Sequence, residues 1–526
     1  MLRVICNRLA VIAYLVGYKV SETLLDLGTV TIASGVINAK ITSTSREVKL
    51  AVSEILSYEV ENAKNTMSFK RGDWDGRSSF FDYATGTFPA GFTYMVKRQL
   101  SRLGYRVNLV CKEAPEPLGP EIGTHDPLGY GFSDRYDYQP EAVRRLLRHK
   151  RMIARVATGG GKSNIGVLAF STIRRMTLFL TTRGSLMWQM KENFEKAGFI
   201  PGVIGDAILK PRKGVNVAMV QTIASWLAKP NLDDPPEKAE AQNERRKRML
   251  ELLARVEFVI GEEAHEAGGS SYYEILRACP NAHYRLALTA TPFMRDDDES
   301  NMRLQAAFGS IGIEVSEKLL IDREILARPY FKFLPTPKTE LLRKGTTWPN
   351  CYDLGVVMND GRNLQALEQV VRAQHYNRSA MVLIRRKSHG ETLQRMFDQA
   401  GLKSKFIFGE NDQAERKRAL DGLAARELDV LIGSTILDVG VDMPAVGMVV
   451  LAGGGKAEVG HRQRIGRGLR AKKPPEANNC FIVDWEDENN RILRDHASTR
   501  KAIVVNTPGF DVGLLAPDQP FPWEEH

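Results

Sequence analysis

The sequence predicts an α/β protein: two tandem doubly wound parallel-sheet domains preceded by a small α+β module. Three observations carry this expectation. Two consecutive series of short, near-continuous apolar runs alternate with helical patterns, as parallel strands covered on both faces do. The proline- and glycine-rich stretch "APEPLGPEIGTHDPLG" at 114–129 separates both series from what precedes them. The chain has 526 residues, and one core rarely grows beyond ~250–300 residues, so roughly three domains are expected.

Residues 1–35 are left unassigned. Within them "LAVIAYLVGY" at 9–18, with Arg3 and Arg8 ahead of it, has the outline of a signal peptide. It is shorter than the about 20 residues that span a bilayer, and no clear small-residue cleavage pattern follows, so a buried helix or strand is expected. Residues 36–113 read as the α+β module. "VINAKIT" alternates like a strand; Thr44 and Glu47 form a capping box ahead of a helix with Val48, Ala51, Val52, Ile55 and Leu56 on one face. "GTFPAGF" reads as a turn and "YMVKRQLSRLG" as a second helix stopped by Gly104.

Residues 114–130 are expected to be a linker. The first doubly wound domain, 131–330, has strand candidates "RMIARVAT", "MTLFLTT", "NVAMVQT", "VEFVIGE" and "YRLALTAT". The charged segment 235–251 reads as a solvated helix between two of them, with a basic face available to nucleic acid. The second domain, 331–505, has "SAMVLIRR", "KFIFGE", "LDVLIGST", "GMVVLA" and "CFIVDW", and 506–526 is an unassigned tail.

Composition narrows the function classes. An apolar share of 43% and a charged share of 26% are ordinary for a globular protein. A net charge of +10 favours a polyanionic partner without bearing on the fold. The five cysteines (Cys6, Cys111, Cys279, Cys351, Cys480) form no CxxC pair, which indicates neither a zinc site nor a disulfide framework. A reduced, cytoplasmic setting and no membrane partner are expected.

"VATGGGKS", Val156 to Ser163, stands between a strand candidate and a helical pattern, the context a phosphate-binding loop requires. Glycines 159–161 let backbone N–H groups turn inward, with Thr158 beside them. Lys162 supplies a charge for the β and γ phosphates of ATP, and the Ser163 hydroxyl can ligate Mg²⁺. Val156 replaces the first glycine of the general pattern. The bland alternative is a glycine-rich turn with a chance Lys-Ser pair. "GEEAHE", from Gly261 to Glu266, then ends a strand about a hundred residues later, where a second acidic motif of such a fold belongs. Glu262 would hold the metal and Glu263 would polarise the attacking water; an acidic turn closing a buried strand is the alternative.

With both motifs in place, residues 136–470 resemble superfamily-two helicases of the DExH type, whose two lobes are RecA-like. The resemblance implies an ATP-hydrolysing motor. It makes Gln139 in "YDYQP" the adenine-reading glutamine and "LTATP", with Thr289 and Thr291, the coupling motif alongside His265. Gly440 and Asp442 of "STILDVGVDMP" would approach the nucleotide from the second domain. "QRIGRGLR" would supply coupling through Gln463 and arginine fingers through Arg467 and Arg470. Such fingers fit the chemistry, because the transition state spreads charge over the outer phosphate oxygens. The family usually has Asp where Glu262 stands, and Glu is one methylene longer, so the resemblance implies a metal held directly, through an intervening water or at a shifted loop.

The same resemblance places Thr182, Arg183, Gln221, Thr222, Arg385 and Thr435 along one DNA strand, contacts that position without reading sequence. For any single one, a structural role in a loop is the alternative. "FKRGDWDGRSSFFDYATGTFPAGF", Phe69 to Phe92, looks like the duplex-binding domain of phage recombination helicases of the UvsW type, with Lys70, Arg71, Trp74, Arg77, Lys97 and Arg98 available to DNA. Most of its aromatics, Phe80, Phe81 and Tyr83 included, are expected to be core. "RLALTATPFMRDDD" is also similar to XPB-type motors. The implied activity is unwinding or branch migration of Holliday junctions, forks and R-loops in recombination, repair and replication, inside a bacterium or a phage-infected host. Recombination or single-strand-binding proteins are the implied protein partners. The alternatives are a double-strand translocase that never separates strands and a nucleotide-gated DNA-binding factor with little turnover.

Overall fold

The computed structural model describes residues 28–129, 133–231, 233–293, 297–340, 342, 346–409, 411–434, 446–455, 462, 465–466, 468–472, 474 and 476–523. The apolar run at 9–18 lies outside them.

The N-terminal module is a four-stranded sheet in the order Thr87–Pro89, Asn38–Ile41, Thr29–Ser34, Arg106–Cys111. The first two pairings are antiparallel and the last is parallel, with Ile32 opposite Leu109. Val30 and Ile32 point into the core and their neighbours outward, so the module begins ahead of residue 36 and takes in part of the stretch left unassigned. "GTFPAGF" is more than a turn, since Thr87–Pro89 pairs along the sheet edge before a 3₁₀ turn at Ala90–Phe92. The helix Arg46–Ile55 is capped by Ser45 and not by Thr44: the Ser45 hydroxyl accepts from the Val48 N–H and donates to Glu47 at 2.6 Å. The cap sits one residue closer because Ser45 already has the extended backbone an N-cap needs. Helix Thr93–Arg102 buries Val96 and Leu100 in the same core.

The first doubly wound sheet has eight described strands in the order Ile208–Lys210, Gly202–Gly205, Val215–Met219, Thr177–Thr181, Phe258–Glu262, Tyr284–Thr289, Arg151–Val156, Ile311–Val315. All five expected strands are present. The three additional ones lie towards the sheet's two sides, and Ile208–Lys210 runs antiparallel. The charged segment is the helix Pro236–Leu253, laid against the preceding helix by Gln242, whose amide donates to the carbonyls of Ser225 and Ala228 at 3.1 and 2.8 Å.

The second sheet, parallel throughout, runs Ser404–Ile407, Val430–Gly433, Ala380–Leu383, Met448–Val450, Asn479–Glu486, Arg328–Pro335, Leu514–Leu515. Its strand Arg328–Pro335 starts before residue 331, and its last strand comes from the stretch read as a tail. Phe521 and Trp523 then pack on Phe481, with ring centroids 4.9 and 4.5 Å away.

Neither connection to the module is loose. Leu118 and Gly119 of the linker donate to the carbonyls of Ile173 and Thr172, both at 3.0 Å. The module's core, including Val52, Phe88 and Phe92, is continuous with Ile153, Leu178, Leu304 and Phe308 of the first motor domain. At the contact Gly91 lies against helix Asp298–Phe308 so closely that a Cβ would stand 2.1 Å from the Gln305 carbonyl oxygen and 2.3 Å from that of Ala306. Among the described residues no helix is long and apolar enough to cross a membrane.

Candidate functional site

Strand Arg151–Val156 delivers the glycine loop at the carboxyl end of the first sheet, and helix Lys162–Ile173 leaves it. Gly159 and Gly161 take φ of +87° and +74°, a backbone that L side chains rarely adopt, so the glycines there are required. Val156, at the first position of the pattern, is fully buried as the last residue of the strand. Two neighbours on helix Tyr138–His149 brace the loop. The Tyr138 hydroxyl donates to the Gly160 carbonyl at 2.9 Å, and burial pushes its pKa up to about 12, which keeps it a donor. Gln139 is 3% exposed, its Nε2 has no partner, and a Cβ on Gly161 would lie 2.6 Å from that nitrogen. Tyr138 was not singled out from the sequence; its one signal was adjacency to Gln139.

The acidic motif arrives on strand Phe258–Glu262, two strands from the loop. Glu262 is 4% exposed and its Oε2 is unpartnered. Burial pushes its pKa up to about 8; the nearby Lys162 ammonium pulls the other way and Glu263 adds to the rise. A buried carboxylate oxygen without a donor, beside a lysine of the phosphate loop, suits a hard cation. Mg²⁺ is commonly held by one or two carboxylates plus substrate phosphates. Among the described residues there is no cluster of three or more His, Cys, Asp and Glu side chains that could hold a metal on their own.

The chain turns sharply after Glu262. Glu263 sits at φ +47° before the 3₁₀ turn Ala264–Gly268, a conformation that costs a non-glycine residue about 1–2 kcal/mol. His265 Nδ1 lies 3.3 Å from Glu263 Oε2 and 3.2 Å from Thr289 Oγ1, and Thr289 Oγ1 accepts from the Thr291 N–H at 3.2 Å. The acidic motif and the Thr-Ala-Thr segment are therefore joined by a continuous polar chain.

A second chain leaves from Glu266. Its carboxylate accepts from the Thr182 hydroxyl and from Arg183 Nη2, the latter at 3.1 Å, while Gln221 Nε2 donates to the Thr182 carbonyl at 2.9 Å. Thr182, Arg183 and Gln221 are thus brought together against the acidic motif, with Thr222 partly buried next to Gln221. Glu266 was missed as a site residue because its partners stand 83 and 84 positions away.

Gly466 from the second domain and Leu326, just ahead of the strand Arg328–Pro335, close on the loop: a Cβ on Gly466 would lie 2.6 Å from Thr158, and one on Gly159 would lie 2.6 Å from Leu326. Arg470 is exposed and bridges to Leu326 through its backbone. Arg385 lies over Gly455, where a Cβ would stand 2.4 Å from Nη1, and Arg500 holds that loop by donating to the Gly455 carbonyl at 3.0 Å. Thr435, Gly440, Asp442, Gln463 and Arg467 lie outside the described residues.

On the module, Lys70, Arg71, Arg77 and Arg98 are exposed, and Lys97 is partly buried. Trp74 is partly buried and donates from its indole N–H to the Arg77 carbonyl at 2.6 Å, closing the turn between them. Arg77 also pairs with Glu54 at 3.4 Å. Phe81 is buried, Phe80 packs between Tyr58 and Phe92 at 5.2 and 5.5 Å, and Tyr83 is 42% exposed under the Lys49 ammonium.

The chain matches two family models: type III restriction enzyme, res subunit, over residues 133–294, and helicase conserved C-terminal domain, over residues 362–472. It is 22% identical over 448 residues to the ATP-dependent DNA helicase uvsW of Enterobacteria phage T4, covering 79% of this chain and 83% of that protein. To the DNA 3'-5' translocase XPB2 of Sulfurisphaera tokodaii it is 25% identical over 401 residues, covering 68% and 83%. Among solved structures, a fragment of a putative HsdR subunit of a type I restriction enzyme from Vibrio vulnificus YJ016 shares the fold, with a TM-score of 0.50 at 18% identity, covering 83% of this chain and 78% of that one.

Proposed function

We propose that this chain, a superfamily-two helicase and so an ATP hydrolase, works on branched DNA, using two lobes to step along one strand while the N-terminal module holds the adjoining duplex. The observation that carries the chemical half is Glu262, buried beside Lys162 with a free carboxylate oxygen. Lys162 binds the β and γ phosphates, and Ser163 and Glu262 would hold Mg²⁺, which when bound neutralises charge on those phosphates. Glu263 takes the proton of the attacking water. His265, Thr289 and Thr291 carry the consequence of hydrolysis away from it, and Arg470, with Arg467, stabilises charge from the second lobe. Gln139 serves the adenine side of the loop.

Support for the DNA half comes from two sources. The relative named a DNA helicase aligns over 79% of this chain, and the module's exposed Lys70, Arg71 and Arg77 ride on a core shared with the motor. Thr182, Arg183, Gln221, Thr222 and Arg385, with Thr435, would follow the backbone of the tracked strand. The direct pairing of Arg183 with Glu266 gives a route by which strand binding alters the acidic motif: a phosphate at Arg183 competes with Glu266 for the same guanidinium.

ATP turnover measured with and without a synthetic four-way junction tests the whole reading. Junction-stimulated hydrolysis together with strand displacement is the expected result. Stimulation by linear duplex alone, with triplex displacement and no strand separation, would instead favour the double-strand translocase suggested by the XPB2 relative. Lys162→Ala is expected to lower kcat by at least about 10²-fold, the usual effect of removing one electrostatic contact to a transition state. Steady-state turnover checks this, and a retained rate would remove Lys162 from the phosphate site.

A further inference from the structure

A cavity of about 290 Å³ lies where the N-terminal module meets the first motor domain. The module contributes Val36 and Phe80 to its wall, and the motor contributes Tyr273, Arg151, Arg277 and Arg285. Arg285 is 2% exposed and donates from Nε and Nη2 to the carbonyls of Ala282, Leu276 and Cys279, at 3.1, 2.9 and 3.1 Å. Arg151 donates from Nη2 to the Val36 carbonyl at 2.8 Å, which ties the two units together. Both guanidinium groups are held by backbone oxygens. The groups that act electrostatically on Arg151 are Arg285, Cys111 and Tyr94, and those on Arg285 are Cys279 and Tyr273; no carboxylate is among them. Burial and the second cation bring the Arg151 pKa down to about 9, so it remains charged at neutral pH.

The other charged groups at the cavity are already engaged. Arg277 stands 4.0 Å from Glu274, with side chains 52% and 66% exposed, at the solvent side. Asp82, the carboxylate in the lining, accepts from the N–H groups of Ala84 and Thr85 at 2.9 and 3.1 Å, and the cation that acts on it electrostatically is Lys49. Neighbouring cations, Arg285 buried and Arg151 partly buried, with no carboxylate paired to either among the described residues, are costly, since each has lost water and each repels the other. A cavity of this volume holds a tetrahedral oxyanion with room for water.

We propose that this cavity, at the junction of module and motor, binds a phosphate group held by Arg151, Arg285 and Arg277 of the motor. The site is separate from the nucleotide loop. Arg151 begins the strand that ends at Val156, and six residues of strand at about 3.3 Å each place the two sites ~17–20 Å apart, at opposite ends of the sheet. The phosphate has two possible sources, free inorganic phosphate or the backbone of a DNA duplex held by the module.

The test uses full-length protein carrying Lys162→Ala, so that the nucleotide loop contributes little, and follows its melting temperature against inorganic phosphate and against chloride at constant ionic strength. A saturable rise of several degrees specific to phosphate is expected. It is also expected to be lost on adding Arg151→Gln or, should that variant fold poorly, Arg277→Gln at the exposed mouth. Repeating the titration with a short duplex separates the sources. If the duplex abolishes the phosphate response, the occupant is the DNA backbone; if the response persists, it is the free anion. Equal melting in phosphate and chloride would overturn the proposal, and so would an undiminished phosphate response in both arginine variants.

Discussion

Glu263→Gln is expected to bind ATP with near-normal affinity but to turn it over about 10²–10⁴-fold more slowly, the range a positioned general base supplies. The amide has the same shape as the carboxylate and cannot accept the proton. Glu262 and Lys162, which would hold metal and phosphates, are left in place, as is the left-handed turn at φ +47°. The contact with His265 Nδ1, 3.3 Å in the native chain, survives as a neutral hydrogen bond. Binding of a fluorescent ATP analogue and steady-state hydrolysis, measured on the same preparation, check the two halves separately. Undiminished turnover would move the base elsewhere. Loss of nucleotide binding would mean that Glu263 acts mainly by shaping the loop.

Gly91→Val is expected to be among the most destabilising single substitutions in the chain, although Gly91 belongs to neither the phosphate loop nor the acidic motif. The atoms that its Cβ would meet are backbone oxygens of helix Asp298–Phe308, at 2.1 and 2.3 Å, and they cannot swing aside as a side chain does. Overpacking a good core typically costs 1–3 kcal/mol, and this contact stands at the upper end or beyond. The expected result is a lower Tm, faster proteolysis within 114–130 and weaker DNA binding together, because one continuous core serves module and motor. Thermal melting and limited proteolysis read it out, and an unchanged melt would show that the module does not dock on this helix in solution. Gly91→Val is a cleaner probe of the module than deleting residues 1–115, which would strip the cover from Leu304 and Phe308.

The candidate phosphate loop and the acidic motif were legible in the sequence because their pattern is local. Glycines, lysine and serine occupy consecutive positions at a strand–helix junction, and "GEEAHE" closes an apolar strand. All ten expected strands of the two motor sheets occur, for the related reason that buried parallel strands are apolar on both faces. What stayed hidden was long-range or weakly patterned. Glu266 meets Thr182 and Arg183 only after folding. Thr29–Ser34 alternates between buried and exposed positions and has only two apolar residues directed inward. Ile311–Val315 shows the same dilution as an edge strand, with Ile311 37% exposed. The Ser45 cap differs from the expected Thr44 by one residue, a distinction set by backbone angles that two adjacent hydroxyl residues do not reveal.

The short strand Leu514–Leu515 has a role out of proportion to its length. It lies along Arg328–Pro335, whose run "RPYFKFLP" is buried from Pro329 to Leu334. Without that cover the second sheet would end in an open, apolar edge carrying unpaired backbone donors and acceptors, the template on which sheets of separate chains add to one another. Phe521, packed on Phe481 with the Lys332 ammonium 4.5 Å from its ring centre, adds a bulky plug beside it. Removing the stretch after helix Arg491–Val505 would therefore leave Phe331 and Lys332 open to pairing with a foreign strand, at the margin of a sheet whose opposite flank ends at Ser404–Ile407.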